Sequence, residues 1–155
     1  MADNEYSFSD GFNYFSMKYA LEQHEIVLHE SGGLPGILTP GQLECILSMI
    51  KNDDYYPYFA DKLSYLIYSV IMDHIFCDAN KRTSIALGAY FLSINGYDEC
   101  IDRFMREMEF IVVMVAEHQL SHAELTVLLT DIIFDLTYDD TLADKIYQYK
   151  KKYSL

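Results

Sequence analysis

Positively charged side chains are scarce in this sequence. Its 155 residues include 11 lysines and arginines against 24 aspartates and glutamates, giving a formal net charge of −13. Because nucleic-acid phosphates are bound by a basic face, this composition argues against a nucleic-acid-binding protein. Any chemistry that needs positive charge must come from a local cluster.

Cysteines and long apolar stretches are scarce as well. The three cysteines, Cys45, Cys77 and Cys100, are odd in number and widely spaced, which fits neither a disulfide framework nor a zinc site and favours buried free thiols. The N-terminus carries no basic segment followed by an apolar one, and apolar runs such as residues 111–116 are too short to cross a bilayer. We expect a cytoplasmic protein that makes no membrane contact.

Glycine and proline are confined to the earlier part of the chain, since all three prolines and six of the seven glycines precede residue 89. Beyond Pro57, apolar residues recur every three or four positions almost throughout, which predicts helices. Ser121 with Glu124 forms a capping box, and Thr141 resembles a weaker cap for a last, polar helix. The other helices predicted after Pro57 span about 60–74, 79–95 and 103–118.

The first third of the chain is interrupted by the sequence SGGLPG. A helix ends there, and Thr39, Pro40 and Gln42 supply the cap, the first-turn proline and the capping-box partner for the next helix. Residues 31–38, called the flap below, therefore form a short exposed segment whose glycines permit unusual backbone angles. Because no pattern strong enough for a sheet occurs, we predict an all-α helical bundle with one small β-hairpin at the flap.

The sequence HIFCDANKRT (residues 74–83) concentrates chemically active side chains between two predicted helices. A helix start leaves backbone N–H groups unpaired and carries a partial positive charge, which makes it a natural phosphate site. Ala79 is small enough to let a phosphate approach that backbone. Lys81 and Arg82 are unfavourable for their own helix dipole unless an anion binds there. Arg82 can bind two phosphate oxygens at once, and Lys81 acts as a point charge.

The other polar residues of this stretch suit phosphate chemistry too. Asp78 would repel a bare phosphate but becomes useful if magnesium lies between them, because magnesium typically uses one or two carboxylates. Asn80 can orient either a phosphate or the loop itself. Histidine is the side-chain type that transfers protons near neutral pH, so His74 is the candidate general base for a hydroxyl that attacks phosphorus. Phe76 most simply anchors the loop in the core.

Structural interpretations of the same residues remain. A histidine at a helix end is usually structural, and Asp-Ala-Asn is an ordinary helix cap. Elsewhere, His118 and His122 are four residues apart, but a cap at Ser121 puts them on different helices, which argues against a metal pair.

The order of the residues in this stretch resembles a family signature. His74-x-Phe76-x-Asp78-Ala79-Asn80-Lys81-Arg82 is similar to the Fic/Doc pattern H-x-F-x-[D/E]-[A/G]-N-[G/K]-R. The Doc branch, the death-on-curing toxins, fits best, because lysine stands at position 81, His24 is followed eight residues later by GGLPG, and FLSINGY follows the motif helix. The resemblance covers about residues 20–136 of a single domain, 1–155, with helical extensions at both ends.

The resemblance implies a Fic fold and the use of ATP with magnesium. It also implies that the glycine-bearing flap docks a target peptide as an added strand. The implied roles are the general base for His74, the magnesium contact for Asp78, phosphate contacts for Ala79, Asn80, Lys81 and Arg82, target docking for Gly32, Gly33, Leu34, Pro35 and Gly36, and a structural anchor for Phe76.

Two departures from the adenylylating members of the family bear on the reaction. These have glycine where Lys81 stands, and many carry a second arginine where Ile85 stands. As in Doc, the lysine implies transfer of the terminal phosphate of ATP, by a kinase toxin acting on a serine or threonine of a translation factor such as elongation factor Tu. The alternatives are AMP transfer from the same site and a catalytically silent domain that binds a nucleotide or a partner protein.

Regulation and the role of His24 are the last expectations. Self-inhibited Fic proteins carry an [S/T]-x-x-x-E-[G/N] helix, whereas none of the ten glutamates here is followed by glycine or asparagine. We expect control by a separate antitoxin chain, as Phd controls Doc. His24 matches Doc in position, which leaves open whether it lies near the site or is structural.

Overall fold

The fold was taken from a computed structural model that describes residues 11–153. Within that range the chain forms seven α-helices and no strand, and a short 3-10 helix (Asp98–Cys100) precedes the fifth. The predicted all-α class is confirmed. The helices are α1 (Met17–Ser31), α2 (Pro40–Met49), α3 (Phe59–Met72), α4 (Asn80–Ile94), α5 (Ile101–Ala116), α6 (His122–Ile133) and α7 (Asp140–Lys152).

Helix α3 is the centre of the bundle. Ten of its 14 residues are buried, and it packs against α2, α4, α5 and α6. Gly88 lets α4 approach both α3 and α5 closely. A Cβ there would lie 3.1 Å from Ile67 on α3 and 2.8 Å from the ring of Phe104 on α5. Since α3 ends just before the HIFCDANKRT sequence and α4 begins within it, two helices that pack against each other hold that sequence from both sides.

Two of the three predicted helix caps differ from expectation. The Ser121 capping box is confirmed, with Ser121 Oγ accepting from the N–H of Glu124 (3.1 Å) and Glu124 Oε1 accepting from the N–H of Ser121 (2.9 Å). Thr39 precedes α2 as predicted, but its side chain makes no capping hydrogen bond. The predicted cap at Thr141 is wrong. Asp139 accepts from the N–H of Leu142 instead, because aspartate caps at least as well as threonine and begins the helix two residues earlier.

The predicted β-hairpin is also wrong for the residues that the structure describes. The flap forms one isolated antiparallel bridge, between Ile37 and Phe76. Its hydrogen bonds run to the motif loop (residues 73–79) and not back onto the flap itself: Leu38 N donates to Ile75 O at 2.7 Å, and Cys77 N donates to Gly36 O at 3.0 Å. The flap therefore pairs with a loop 40 residues away, which sequence pattern alone does not reveal.

The expectations for cysteines and membrane spans have separate outcomes. All three cysteines are free, but only Cys100 is buried, whereas Cys45 and Cys77 are exposed. No helix within residues 11–153 has the length and apolar character needed to cross a membrane.

Candidate functional site

The motif loop joins the end of α3 to the start of α4 and is fixed by its apolar residues. Ile75 and Phe76 are fully buried, so the loop is attached to the core at its middle. His74 precedes them, exposed and with a positive φ of 47°, just after the end of α3. Phe76 is the anchor that the sequence predicts, and its burial leaves the polar side chains on either side of it near the surface.

Asn80 holds the motif loop closed. Its Oδ1 accepts from the N–H of Phe76 and its Nδ2 donates to the carbonyl of Phe76, both at 2.9 Å. Of the two roles that the sequence leaves open for this side chain, the observed contacts are those of orienting the loop. Ala79 precedes Asn80 with a φ of 65°, in the left-handed region, which is unfavourable for a residue with a Cβ.

Asp78 is held as a carboxylate by two backbone N–H groups. Oδ2 accepts from Leu34 in the flap at 3.0 Å, and Oδ1 accepts from Ala79 at 2.8 Å. These two hydrogen bonds, that of Leu34 first, lower the pKa of Asp78, and the positive charge of Arg82 lowers it further. The ionised form, which a metal or a cationic partner requires, is therefore the favoured one.

Arg82 reaches from the first turn of α4 to the end of α1. Its Nη1 donates to the carbonyl of Gly32 at 2.8 Å and also to the hydroxyl of Ser31. Those acceptors lie at the negative end of the α1 dipole, where a cation is favourable. Arg82 is therefore stabilised by the end of α1, which offsets its unfavourable position at the positive end of the α4 dipole.

Gly33 lies next to the side chains of both Asp78 and Arg82. Its φ is 131°, and a Cβ there would lie 3.0 Å from Asp78 Oδ2, 3.2 Å from Arg82 Nη2 and 2.8 Å from Leu28. Only glycine fits this position without displacing one of these groups. The flap, the motif loop and the start of α4 thus form one site, in which a carboxylate and a guanidinium both lie beside Gly33.

The remaining predicted residues lie at the rim of this site. Lys81 is exposed on the first turn of α4, and Leu34 and Pro35 are exposed on the flap. Gly36 lies against the motif loop, since a Cβ there would lie 2.9 Å from the sulfur of Cys77. Exposed flap residues are accessible to a partner, whereas Gly33 and Gly36 are in contact with the loop.

Three further residues contact the motif loop or Arg82, which follows it on α4. His24 is buried against it, and Ser31 binds Arg82 as described above. Gln42, predicted to complete a helix cap, instead donates to Asp73 Oδ2 at 2.7 Å, at the start of the loop. The spacing of His24 from the flap glycines was the one sequence signal for this site, and nothing in the sequence connects Ser31 or Gln42 with it.

No group of three or more histidine, cysteine, aspartate or glutamate side chains within residues 11–153 is arranged to hold a metal ion by itself. A metal at Asp78 would therefore need most of its ligands from a substrate or from water. Magnesium typically binds in this way, through one or two carboxylates together with phosphates and waters.

Comparison with known proteins identifies the family to which this sequence is similar. The model of the Fic/DOC family matches residues 14–92, about half of the chain. A curated relative, "Protein kinase doc" of Escherichia phage P1, is 34% identical over 89 residues, which cover 52% of this chain and 70% of the relative. The matched family segment includes the flap, the motif loop and α4 up to Leu92.

Proposed function

Because the chain belongs to the Fic/DOC family, we propose that it is a Doc-like protein kinase that transfers a phosphoryl group from ATP to a serine or threonine of a protein target. A translation factor such as elongation factor Tu is the target class we propose, in the cytoplasm. The similarity to a relative named as a protein kinase supports this reaction over others in the family.

The observation that carries the proposal is that the side chains of Asp78 and Arg82 both lie beside Gly33, at the start of α4. A carboxylate that is held ionised, a guanidinium and unpaired helix N–H groups together suit a metal-bound polyphosphate. His74 lies on the same loop, exposed and four residues before Asp78. The arrangement supplies positioning and charge stabilisation, which account for most of the catalysis of phosphoryl transfer.

In the proposed reaction, His74 takes the proton from the target hydroxyl. The hydroxyl oxygen forms a bond to the γ-phosphorus, the bond from that phosphorus to the β,γ-bridging oxygen breaks, and ADP leaves. Arg82 exchanges its contacts with Ser31 and Gly32 for phosphate oxygens, while Lys81, exposed on the same turn, adds a second positive charge.

Asp78 is the residue that would hold magnesium. Its depressed pKa keeps the carboxylate charged, and each oxygen has a second lone pair beyond the one used by a backbone N–H. When bound, magnesium would neutralise charge on the phosphates. Asn80 contributes by keeping the loop closed through its hydrogen bonds with Phe76, which keeps Asp78 in a fixed position relative to the start of α4.

AMP transfer is the second candidate. It would use the same loop and base, and would attack the α-phosphorus. Lys81 argues against it, because this exposed side chain stands where adenylylating members have glycine, and Ile85, which is buried, replaces the second arginine. For control of the enzyme we propose a separate antitoxin chain that covers this site.

The decisive experiment measures mass gained by target proteins. The purified protein, a His74→Asn variant and a His118→Asn control are each incubated with bacterial lysate, ATP and Mg²⁺. The two histidines are a matched pair, since both are exposed and have positive φ (47° and 61°), a conformation that asparagine tolerates. We expect a gain of about 80 mass units from wild type and from the control, and none from His74→Asn. A gain of about 329 units would establish AMP transfer instead, and a gain that survives in His74→Asn would contradict the general base.

A further inference from the structure

His24 is an unusual residue for its helix. Of the 15 residues of α1, only Ala20 and His24 are buried, and His24 is 4% exposed. Its ring stacks on Phe76, with the ring centroids 3.8 Å apart and the planes within 9° of parallel. Its Nε2 lies 2.9 Å from the main-chain oxygen of Asp78. One imidazole therefore contacts the motif loop on both sides of Cys77.

The hydrogen bond determines which ring nitrogen of His24 carries a hydrogen. A carbonyl oxygen can only accept, so Nε2 must carry the hydrogen. The helix itself offers the Asp78 carbonyl no donor, because the first intrahelical bond of α4 runs from Thr83 to the carbonyl of Ala79, one residue later (2.9 Å). His24, from a helix 54 residues earlier, supplies the donor that this carbonyl would otherwise take from water.

The same bond fixes an entire peptide plane. Because the peptide unit is planar, holding the carbonyl of Asp78 also sets the direction of the N–H of Ala79. That N–H donates to Oδ1 of the Asp78 side chain at 2.8 Å. Ala79 also has the left-handed φ of 65°, a conformation that persists only where its surroundings impose it.

We infer that His24 is a positioning residue, which holds the Asp78–Ala79 peptide so that the Asp78 carboxylate and the first N–H groups of α4 face the same point. The inference rests on the proposed function, since it assigns the use of that point to a magnesium-bound nucleotide. His24 acts through Asp78 and makes no contact with substrate in this role.

Two substitutions separate the two contacts of His24. His24→Phe keeps a ring that can stack on Phe76 and removes the N–H donor, whereas His24→Gln keeps an N–H donor and removes the ring. His29→Gln, on the exposed face of the same helix, is the matched control. Each full-length protein is titrated with a non-hydrolysable ATP analogue by calorimetry, with Mg²⁺ and with EDTA. The amide resonances of Ala79 and Asn80, the ring-nitrogen resonances of His24 in wild type and the unfolding temperature are recorded alongside.

We expect His24→Phe to weaken binding in Mg²⁺ at least tenfold and to shift the Ala79 amide resonance, with a much smaller difference from wild type in EDTA. His24→Gln should recover most of the affinity, and the control should match wild type. In wild type, the ring-nitrogen resonances of His24 should show a hydrogen on Nε2. If His24→Phe does not fold, near-wild-type binding by His24→Gln supports the inference and its loss overturns it.

The outcomes also separate this inference from the proposed function. Wild-type binding by His24→Phe in Mg²⁺ would overturn the positioning role and leave the proposed function intact. Equal loss in both variants together with a lowered unfolding temperature would assign His24 to packing and would also overturn it. Absence of nucleotide binding by the wild-type protein would overturn the proposed function, and the inference with it.

Discussion

Leu34 donates its main-chain N–H to Oδ2 of Asp78 across 3.0 Å, which joins the flap to the motif loop. The bond does not depend on the leucine side chain, which is 67% exposed and therefore accessible to a partner. The flap thus has two sides with different chemistry, a backbone side bound to the proposed metal site and an apolar side facing solvent. Any change in how the flap lies must alter the surroundings of Asp78.

Gly33→Ala should uncouple the flap from the site. An added Cβ would come within 3.2 Å of both Asp78 Oδ2 and Arg82 Nη2 at a φ of 131°, so the flap must move or the two side chains must separate. We expect destabilisation of about 1–3 kcal/mol. We also expect loss of most of the transfer activity. Denaturant unfolding measures the change in stability, and the mass assay described above measures the activity.

Gly32→Ala is the matched control for that experiment. Gly32 also has a positive φ, 81°, but a Cβ there meets nothing within 4 Å. Its substitution should therefore cost only the backbone strain, about 1–3 kcal/mol, and leave the transfer activity near wild type. Equal loss of activity in the two variants would show that backbone strain, and not the contact with Asp78 and Arg82, explains the Gly33 result.

An ion pair between a buried lysine and an exposed aspartate provides a prediction about stability. Lys62 is fully buried on α3, and its Nζ donates to the carbonyl of Ile50 (2.8 Å) and to Asp53 (2.7 Å), which is 75% exposed. Removing Asp53 leaves a buried charge with fewer partners, whereas Lys62→Met removes the charge itself. We expect Asp53→Ala to cost about 3 kcal/mol and Lys62→Met about 1–2 kcal/mol, despite the exposure of Asp53.

The test is whether Asp53→Ala loses more unfolding free energy than Lys62→Met. Both losses are measured by chemical denaturation monitored by circular dichroism. The double variant should be more stable than Asp53→Ala alone, because it no longer buries an unpaired ammonium group. If Asp53→Ala proves milder than Lys62→Met, then the carbonyl of Ile50 and the nearby rings of Phe12 and Tyr14 suffice to hold the charge.

The helices and their motif could be predicted because the responsible signals are local. Apolar residues three and four apart define the buried face of α3, and the Ser121 capping box acts within one turn of α6. The motif loop followed from a contiguous run of residues. The start of α7 was misjudged because Asp139 and Thr141 both cap helices, and aspartate, the slightly better cap, begins the helix earlier.

What the sequence did not reveal are pairings between distant segments. The flap has the glycines and the proline of a turn, which favoured a hairpin, yet its partners are Ile75 and Cys77 in the motif loop. The contacts of Arg82 with Ser31 and of His24 with Asp78 join residues more than 50 positions apart. No periodicity relates such residues, so only the folded chain brings them together.

His122 should make stability depend on pH. Burial lowers its pKa from the ordinary value, so the folded state prefers the neutral ring, which stacks on Tyr68. A lowered folded-state pKa means that the unfolded chain binds more protons as the pH falls. The contribution is therefore complete above about pH 6.5, the ordinary histidine value, and is lost progressively as the pH falls below it.

Two variants at this position test the pH prediction by urea unfolding at pH 7.5 and pH 5.5. His122→Phe and His122→Gln should both lose less stability than wild type between these pH values, since neither side chain titrates. Only His122→Gln should be less stable at pH 7.5, because it alone loses the ring that packs on Tyr68. A decrease as steep as that of wild type in both variants would assign the pH dependence to other groups.

Lys81 should decide which phosphate of ATP reacts. It is exposed on the first turn of α4, next to Arg82, so its replacement leaves the buried contacts of the helix intact. Under the proposed function, Lys81→Gly should reduce the gain of about 80 mass units on the target by tenfold or more and produce a gain of about 329 units. Lys81→Ala, which removes the charge without the roughly 1 kcal/mol helix cost of glycine, should give the same change of product. If both variants transfer only the phosphoryl group, then the choice of phosphate is made elsewhere, and the buried Ile85 in place of a second arginine becomes the feature to test.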